Sequence, residues 1–333
     1  MASQTVFTLP SAATIALAAA RGWPGKAVEP YASLLTLQGA GTGLRSGVPK
    51  ARVRVVFSPA HDRRPHRSDA NIEAVWSRRL AAAEASGGRL FDLSKFRLAR
   101  IGWSDRRCDQ LRIDLGLTSY KEYLATNQLP DAERKLLESS GSAAYGDAGA
   151  HLSNALGCET LLLTSDDQVV FLRRSAKVSS GEGLYNGPSG HAEPSHAGIK
   201  AHGAPLDGSG APVEGHDASV EDRVLAELFG AMRLEVHEET NVPLSALGEP
   251  LLIGAMCDES RKPDLLFLTR TSLDGEGVRA AYARGATEGW ESDKLALFPV
   301  QRLDSCAETL PLTAVTRAAV ACFACVTTDV QSL

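Results

Sequence analysis

Residues 218–240 run without proline and with one glycine, Gly230, while apolar residues return at helical spacing. A helix of that length must bury one face against a sheet or a second helix, a demand that constrains the rest of the chain more than any other feature. On a wheel of about 100° per residue with Glu235 at zero, Leu225, Leu228, Phe229, Met232 and Val236 fall together between about +20° and +120°. Beside that inward face, Glu227, Glu238, Glu235 and Glu239 share a stripe of about 120°. Like charges so placed repel one another and cost stability. A hard divalent cation relieves the repulsion, because Mg²⁺ takes carboxylate oxygens, keeps waters and bridges to substrate phosphates. A glutamate-rich helix that is only solvated carries the same pattern, and the wheel alone leans that way. The surrounding sequence decides between the two.

Strand-like and helix-like segments alternate around this helix. Residues 34–37, 52–57, 111–115, 251–255 and 265–270 have strand patterns, and residues 71–85, 119–127, 134–139 and 312–326 have helical ones. Residues 160–174 make the clearest hairpin, with Ser165-Asp166-Asp167-Gln168 as its turn. Such an order predicts a layered α/β or α+β fold. Residues 178–217 shift to Gly, Ser, His and Pro, a loop long enough to be functional or partly disordered. The chain divides into an N-terminal extension (residues 1–30), a smaller α+β substrate-binding domain (31–150) and an α/β domain (151–330).

Charge is divided as well. The first 150 residues hold 21 Lys and Arg against 14 Asp and Glu, and the remainder 14 against 26. A basic half beside an acidic half suits an anionic ligand on one side and divalent cations on the other; two solvated faces of opposite sign give the same count. A net charge of −5, with no basic stripe interleaved with aromatics, argues against a nucleic-acid partner. No run approaches the roughly 20 apolar residues of a membrane span. Residues 1–28 hold no acid and lack the basic start of a secretory signal. They read as a disordered tail with organellar targeting as the alternative, and the expected compartment is the cytoplasm. Six cysteines without framework spacing fit a reduced compartment. Cys322 and Cys325 form a CxxC, but inside an apolar helix where packing is the simpler role.

The run Leu234-Glu-Val-His-Glu-Glu-Thr-Asn-Val242 resembles the second half of the Nudix box, R-E-U-x-E-E-x-G-U with U apolar, and Pro188-Ser189-Gly190-His191-Ala192-Glu193 resembles its glycine-rich opening. Asn241 stands where the box has glycine, which is tolerable because Asn is the usual second choice for the left-handed residue ending a helix. Leu234 stands where the box has arginine, and Arg233, one residue early, points elsewhere on the helix. A long insertion, residues 192–217, separates the two halves. Further segments, Ser58-Pro-Ala-His-Asp-Arg-Arg-Pro65, Lys95-Phe-Arg-Leu98, Leu115-Gly-Leu-Thr-Ser-Tyr120 and Val170-Phe-Leu-Arg-Arg-Ser175 among them, resemble the UDP-glucose pyrophosphatase branch of the Nudix family. That branch shares the insertion, the missing arginine and the asparagine.

The resemblance implies a Nudix α/β/α sandwich on a mixed sheet, and hydrolysis of UDP-glucose, with UDP-galactose, to UMP and the sugar 1-phosphate. It implies Mg²⁺, with Mn²⁺ as a substitute, held by Glu235 and Glu239 with Glu238 as a further ligand, the same three being catalytic. The general base is open between Glu227 and Glu193, and an extra acid from beyond the box is expected at Glu259 or Asp264. Arg174, His191 and Glu193 are candidate substrate contacts beside the glycine turn, and Asn186 is grouped with them. Each has a solvated alternative. Phe91 and Tyr120 are candidates for reading the uracil, since an aromatic face stacks on a base; ordinary core packing is their alternative. Asp62, Arg63 and Arg64 make either a phosphate contact or a salt-bridged turn. Competing functions are hydrolysis of ADP-ribose, a dinucleotide or coenzyme A, and a nucleotide-binding module that has lost catalysis. Retention of Glu235, Glu238 and Glu239 opposes the last. The partner is a small nucleotide sugar, and the oligomeric state stays open.

Overall fold

The structure, a computed structural model, describes residues 31–36, 47–85, 87–104, 109–178, 181–199 and 219–326. The N-terminal extension, Cys108, the Cys325 side chain and the inserted loop from residue 200 to 218 lie outside the described residues. In chain order the strands are β1 (Tyr31–Thr36), β2 (Val48–Pro49), β3 (Val53–Phe57), β4 (Ser94–Trp103), β5 (Leu111–Ser119), β6 (Gly157–Leu163), β7 (Gln168–Arg174), β8 (Tyr185–Asn186), β9 (Ser189–Gly190), β10 (Leu251–Asp258), β11 (Pro263–Arg270) and β12 (Ser292–Pro299). The helices are α1 (Ile72–Ala85), α2 (Tyr120–Thr126), α3 (Asp131–Tyr145), α4 (Val220–Thr240), α5 (Gly275–Ala283), α6 (Cys306–Thr309) and α7 (Ala314–Val326). Among the described residues no helix is long and apolar enough to cross a membrane.

The large sheet runs β1-β10-β11-β6-β7-β12, with β2 on β10, β8 on β7 and β9 on β6. β11 and β6 are parallel while the flanking pairs are antiparallel, so the sheet is mixed. β6 is buried along its whole length, as a central strand covered on both faces must be. Successive strand residues point to opposite faces. Glu159 accordingly bonds Thr316 of α7, whereas Cys158, its neighbour, lies within electrostatic reach of Glu235 on α4. The sheet is thus sandwiched between α4 and α7. Val224, Leu228, Met232 and Val236 of α4 are fully buried, as are Ala318, Ala319 and Phe323 of α7 to within a few per cent.

Two local devices fix α4. Ser219 caps its start in a reciprocal capping box with Asp222, which satisfies amide donors that a helix leaves unpaired. Asn241 ends it at φ 58 and ψ 19, the left-handed conformation expected of the residue that replaces the box glycine.

The hairpin of β6 and β7 pairs only at Leu162 with Val170 and Leu163 with Val169. Beyond those pairs β9 takes the edge of β6 and β8 the edge of β7. The turn between β8 and β9 is wedged into this fork, so close that a side chain at Gly187 would lie 2.4 Å from the Thr160 carbonyl oxygen. The glycine there is a demand of space.

Residues 53–145 add a second sheet, with β3 and β4 on either side of β5. β3 packs on α4, and Val53, Val55, Phe96, Leu98, Ile113 and Leu115 belong to the same apolar core as Leu228 and Phe267. Buried Arg97 stitches this layer together, donating to the carbonyls of His61 (2.8 Å), Gly149 (2.7 Å) and Leu152 (3.2 Å). Arg63 pairs with Asp69 (2.9 Å) and Glu122 (3.0 Å), and Asp62 accepts the Leu117 amide at 2.6 Å. Arg64 turns to the Ala60 carbonyl. These contacts are those of a salt-bridged turn.

The structure differs from the sequence reading at several elements. β1 and β2 belong to the large sheet through β10, although they precede the second sheet in the chain. β4 has no clear apolar signature because Lys95 and Arg97 face inward. α5 and β12 were not anticipated: α5 buries only the small faces of Gly275, Val278 and Ala281, and β12 opens on Ser-Asp-Lys. The helix expected at 134–139 extends over Asp131–Tyr145.

Candidate active site

The glycine turn and α4 meet through backbone amides. Ser189 N–H donates to Glu239 Oε1 at 2.8 Å, and the His191 amide donates to Glu235. Between them, Gly190 presses on Glu235 so closely that a Cβ would lie 1.8 Å from its Oε1. Arg233 turns away, to Glu249 Oε1 (3.0 Å) and the Leu244 carbonyl (2.9 Å). With leucine at 234, two loop amides hold the carboxylates of Glu239 and Glu235. Asn186 supports the turn by donating from Nδ2 to Ser189 Oγ at 2.8 Å.

Glu235, Glu238 and Glu288 bring carboxylate oxygens within 4.8 Å of one another. Glu288 lies between α5 and β12, and its amide donates to the Glu238 carbonyl at 2.8 Å. Burial, then Glu288, Glu238 and Glu291, pushes Glu235 up to about 8. Burial holds Glu239 well above the usual range, against the Ser189 amide, and Glu235, Glu291 and Glu288 push the same way. Glu288 and Glu291 are raised by burial and by their acidic neighbours, with Arg174 opposing at Glu291. Such an all-oxygen set, short of positive charge, fits a hard divalent cation.

The geometry brings a further acid beside the expected ligands. The compact trio is Glu235, Glu238 and Glu288, whereas Glu239 is buried one turn on and holds the glycine turn. Glu259 is exposed in the β10–β11 turn, and Asp264 pairs with Lys262 at 2.5 Å; among the described residues the carboxylate from beyond the box that reaches Glu235 and Glu238 is Glu288. Glu227 accepts the Glu193 amide at 2.9 Å and lies 3.3 Å from His196 Nδ1. Glu193 itself pairs with Lys95 of β4.

His191 lies within electrostatic reach of two cations. Burial first, then Lys262 and Lys95, holds its imidazole well below the usual range, leaving the ring neutral. Neither lysine was singled out in the sequence, where nothing connects residues 95, 191 and 262. Tyr123 lies within electrostatic reach of Lys262, and its ring centroid is 6.0 Å from that of Tyr120. Tyr120 is half-buried and its amide donates to the Leu93 carbonyl. Phe91 is 63% exposed, so the core-packing alternative fails for it. Both aromatics lie near the end of the second sheet where Ser94 pairs with Ser119, one residue from Lys95. Arg174, at the end of β7, lies within electrostatic reach of Glu291 and Glu159.

Glu159 is 2% exposed beneath the turn. Burial pushes it up to about 8, against hydrogen bonds from Thr316 and the Gly187 amide. A carboxyl whose folded value exceeds its unfolded one is protonated preferentially in the folded chain. Its contribution to stability is therefore full below about pH 4.5, is lost progressively as pH rises to about 8, and is flat above. Glu159→Gln keeps the hydrogen-bonding shape without the charge. Its melting temperature should match wild type at pH 5 and exceed it increasingly toward pH 8.5; parallel melting curves at all pH values would show that Glu159 does not titrate in this window.

No family model matches the chain. Sequence relatives do. The glycine turn and carboxylate helix stand in a chain that belongs to the Nudix hydrolase family. Within it, the chain is 36% identical over 289 residues to uridine diphosphate glucose pyrophosphatase NUDT22 of Mus musculus, covering 85% of this chain and 86% of the relative. Nudix hydrolase 9 of Arabidopsis thaliana is 29% identical over 275 residues, 80% of this chain and 84% of the relative. A solved Nudix hydrolase from Alicyclobacillus acidocaldarius is 19% identical and covers 53% of this chain and 93% of its own, with a TM-score of 0.31. The family assignment rests on the sequence relatives.

Proposed function

We propose that this protein hydrolyses the pyrophosphate of UDP-glucose, and of UDP-galactose, to UMP and the sugar 1-phosphate, with Mg²⁺ as cofactor and Mn²⁺ as substitute. The observation that carries the proposal is the trio Glu235, Glu238 and Glu288 against the glycine turn, in a chain 36% identical to relatives that bear the pyrophosphatase name.

Those three carboxylates would hold the cation. When bound, the ion lowers the pKa of a water and polarises the phosphoryl oxygens. Glu239 keeps Ser189 and the glycine turn in register with α4. Glu291, on the same turn as Glu288 but outside the trio, is assigned the proton of the attacking water, as the acid of that turn left free of the cation. Glu193 and Glu227, already engaged with Lys95 and the Glu193 amide, position the loop. The neutral His191 donates a hydrogen bond to a diphosphate oxygen, and Lys95, Lys262 and Arg174 balance the diphosphate charge.

Phe91 and Tyr120 read the uracil from the N-terminal side. Stacking on a base contributes roughly 1–3 kcal/mol. Phe91→Ala and Tyr120→Ala should each raise KM for UDP-glucose about tenfold or more, with little change in melting temperature for Phe91→Ala. Unchanged KM in both would move the base reader elsewhere. The function itself is tested by quantifying the phosphomonoester products formed from UDP-, GDP- and ADP-linked sugars, dinucleotides and coenzyme A. Preference for UDP-glucose supports the proposal, and preference for ADP-ribose, a dinucleotide or coenzyme A overturns it.

A further inference from the structure

Trp290 is 49% exposed, in the tight turn that carries Glu288 and Glu291 between α5 and β12. The turn is held on both sides. Gly289 N–H bonds the Ala286 carbonyl and Glu291 N–H the Glu288 carbonyl, while Ser175 Oγ donates to the Trp290 carbonyl at 2.7 Å. A large indole therefore stands half in solvent on a rigid turn, one residue from Glu291 and two from the Glu288 carboxylate of the trio. Among the described residues it is one of six large hydrophobic side chains left exposed, and an exposed aromatic on a turn that supplies acids to a polar site is a contact surface for a ligand.

Its position along the sheet says which part of the ligand. The site lies across one end of the large sheet, where β11 begins, β6 begins, β7 ends and β12 begins. Lys262 and Asp264 mark the β11 flank, and Trp290 and Ser292 the β12 flank. β11 and β12 are separated by β6 and β7, at least three strand spacings or about 14 Å, with Glu235 of the trio between them, against Gly190 at the start of β6. The two flanks thus meet opposite ends of an elongated ligand whose diphosphate lies at the trio.

The flanks differ in chemistry. On the β11 side, Tyr123 lies within electrostatic reach of Lys262 and stands beside Tyr120, so this flank takes the uridine end of the ligand. Glu288 and Glu291 flank Trp290, and carboxylates accept from hydroxyl groups but repel carbonyl oxygens. An aromatic face beside carboxylates suits a pyranose, whose C–H face packs on the ring while its hydroxyls donate sideways. Resting on the proposed hydrolysis of UDP-sugars, we infer that Trp290 is the platform for the hexose and that the turn of residues 286–291 sets sugar preference.

The test uses the full chain with Mg²⁺, comparing wild type, Trp290→Ala and Trp290→Phe. Wild-type turnover of UDP-glucose tests the underlying function, and its absence overturns both readings. Given turnover, Trp290→Ala should raise KM for UDP-glucose about tenfold and weaken inhibition by glucose 1-phosphate to a similar extent. Inhibition by UMP should be unchanged, and Trp290→Phe should recover most of the loss. Melting temperature stays within a degree or two, since the ring is half exposed. Weakened UMP inhibition would place the uracil on Trp290 and overturn the inference, as would unchanged KM in Trp290→Ala.

Discussion

Glu235→Gln should lower kcat/KM for UDP-glucose by about a thousandfold or more, because the several kcal/mol of transition-state stabilisation supplied by a bound cation depend on its ligands. The substitution keeps an acceptor for the His191 amide and the shape of the side chain, so the glycine turn has no reason to move. It also removes one of the charges crowded with Glu238 and Glu288. The metal-free variant should therefore melt at or above the wild-type temperature. Added Mg²⁺ should raise the wild-type melting temperature, since a ligand bound only by the folded state stabilises it, and leave the variant's nearly unchanged. Glu239→Gln should lose turnover as well, through the lost charge, since glutamine keeps an acceptor for the Ser189 amide. Near-wild-type hydrolysis by Glu235→Gln in saturating Mg²⁺ would remove this carboxylate from the metal site.

What the sequence disclosed about the site is what lies on one helix or one turn. The wheel brought Glu235, Glu238 and Glu239 to one side of α4 because their spacing alone determines it. Asn241 was recognisable as a left-handed terminator for the same local reason. It could not show that Glu227 belongs to the loop rather than to the trio, since that depends on Glu193 folding back to meet it. Glu288 joins Glu235 and Glu238 only because the turn before β12 comes alongside α4. No periodicity connects residues so far apart. Lys95 was concealed by the strand that carries it: a charged residue facing inward breaks the alternation by which a strand is recognised, and its partner Glu193 comes from another layer. The fold itself was more legible, because β6, β10 and β11 are long apolar strands, whereas α5 and β12 bury too little to announce themselves.

Gly190 and Gly230 separate the needs of the site from those of the helix. Gly230, in the middle of α4, has nothing within 4 Å of where a Cβ would stand. Gly230→Ala should stabilise the protein by up to about 1 kcal/mol, through helix propensity and a less flexible unfolded chain, with activity retained. Gly190 lies in extended backbone that any residue can adopt, so its requirement is spatial. A methyl there would meet Glu235 Oε1 at 1.8 Å and its Cδ at 2.3 Å. The atoms in the way end a side chain rather than form a backbone, and the cheapest response is for the carboxylate to swing aside. Gly190→Ala should therefore fold, with a melting temperature near wild type, and lose about a hundredfold or more in kcat, the effect of displacing a reacting group by about 1 Å. Mg²⁺ should stabilise the variant less than wild type. If Gly190→Ala turns over UDP-glucose within a few fold of wild type, the close approach of the turn to Glu235 is not what aligns the site. A large fall in melting temperature with full activity in the folded fraction would mean instead that the turn yields and the carboxylate stays.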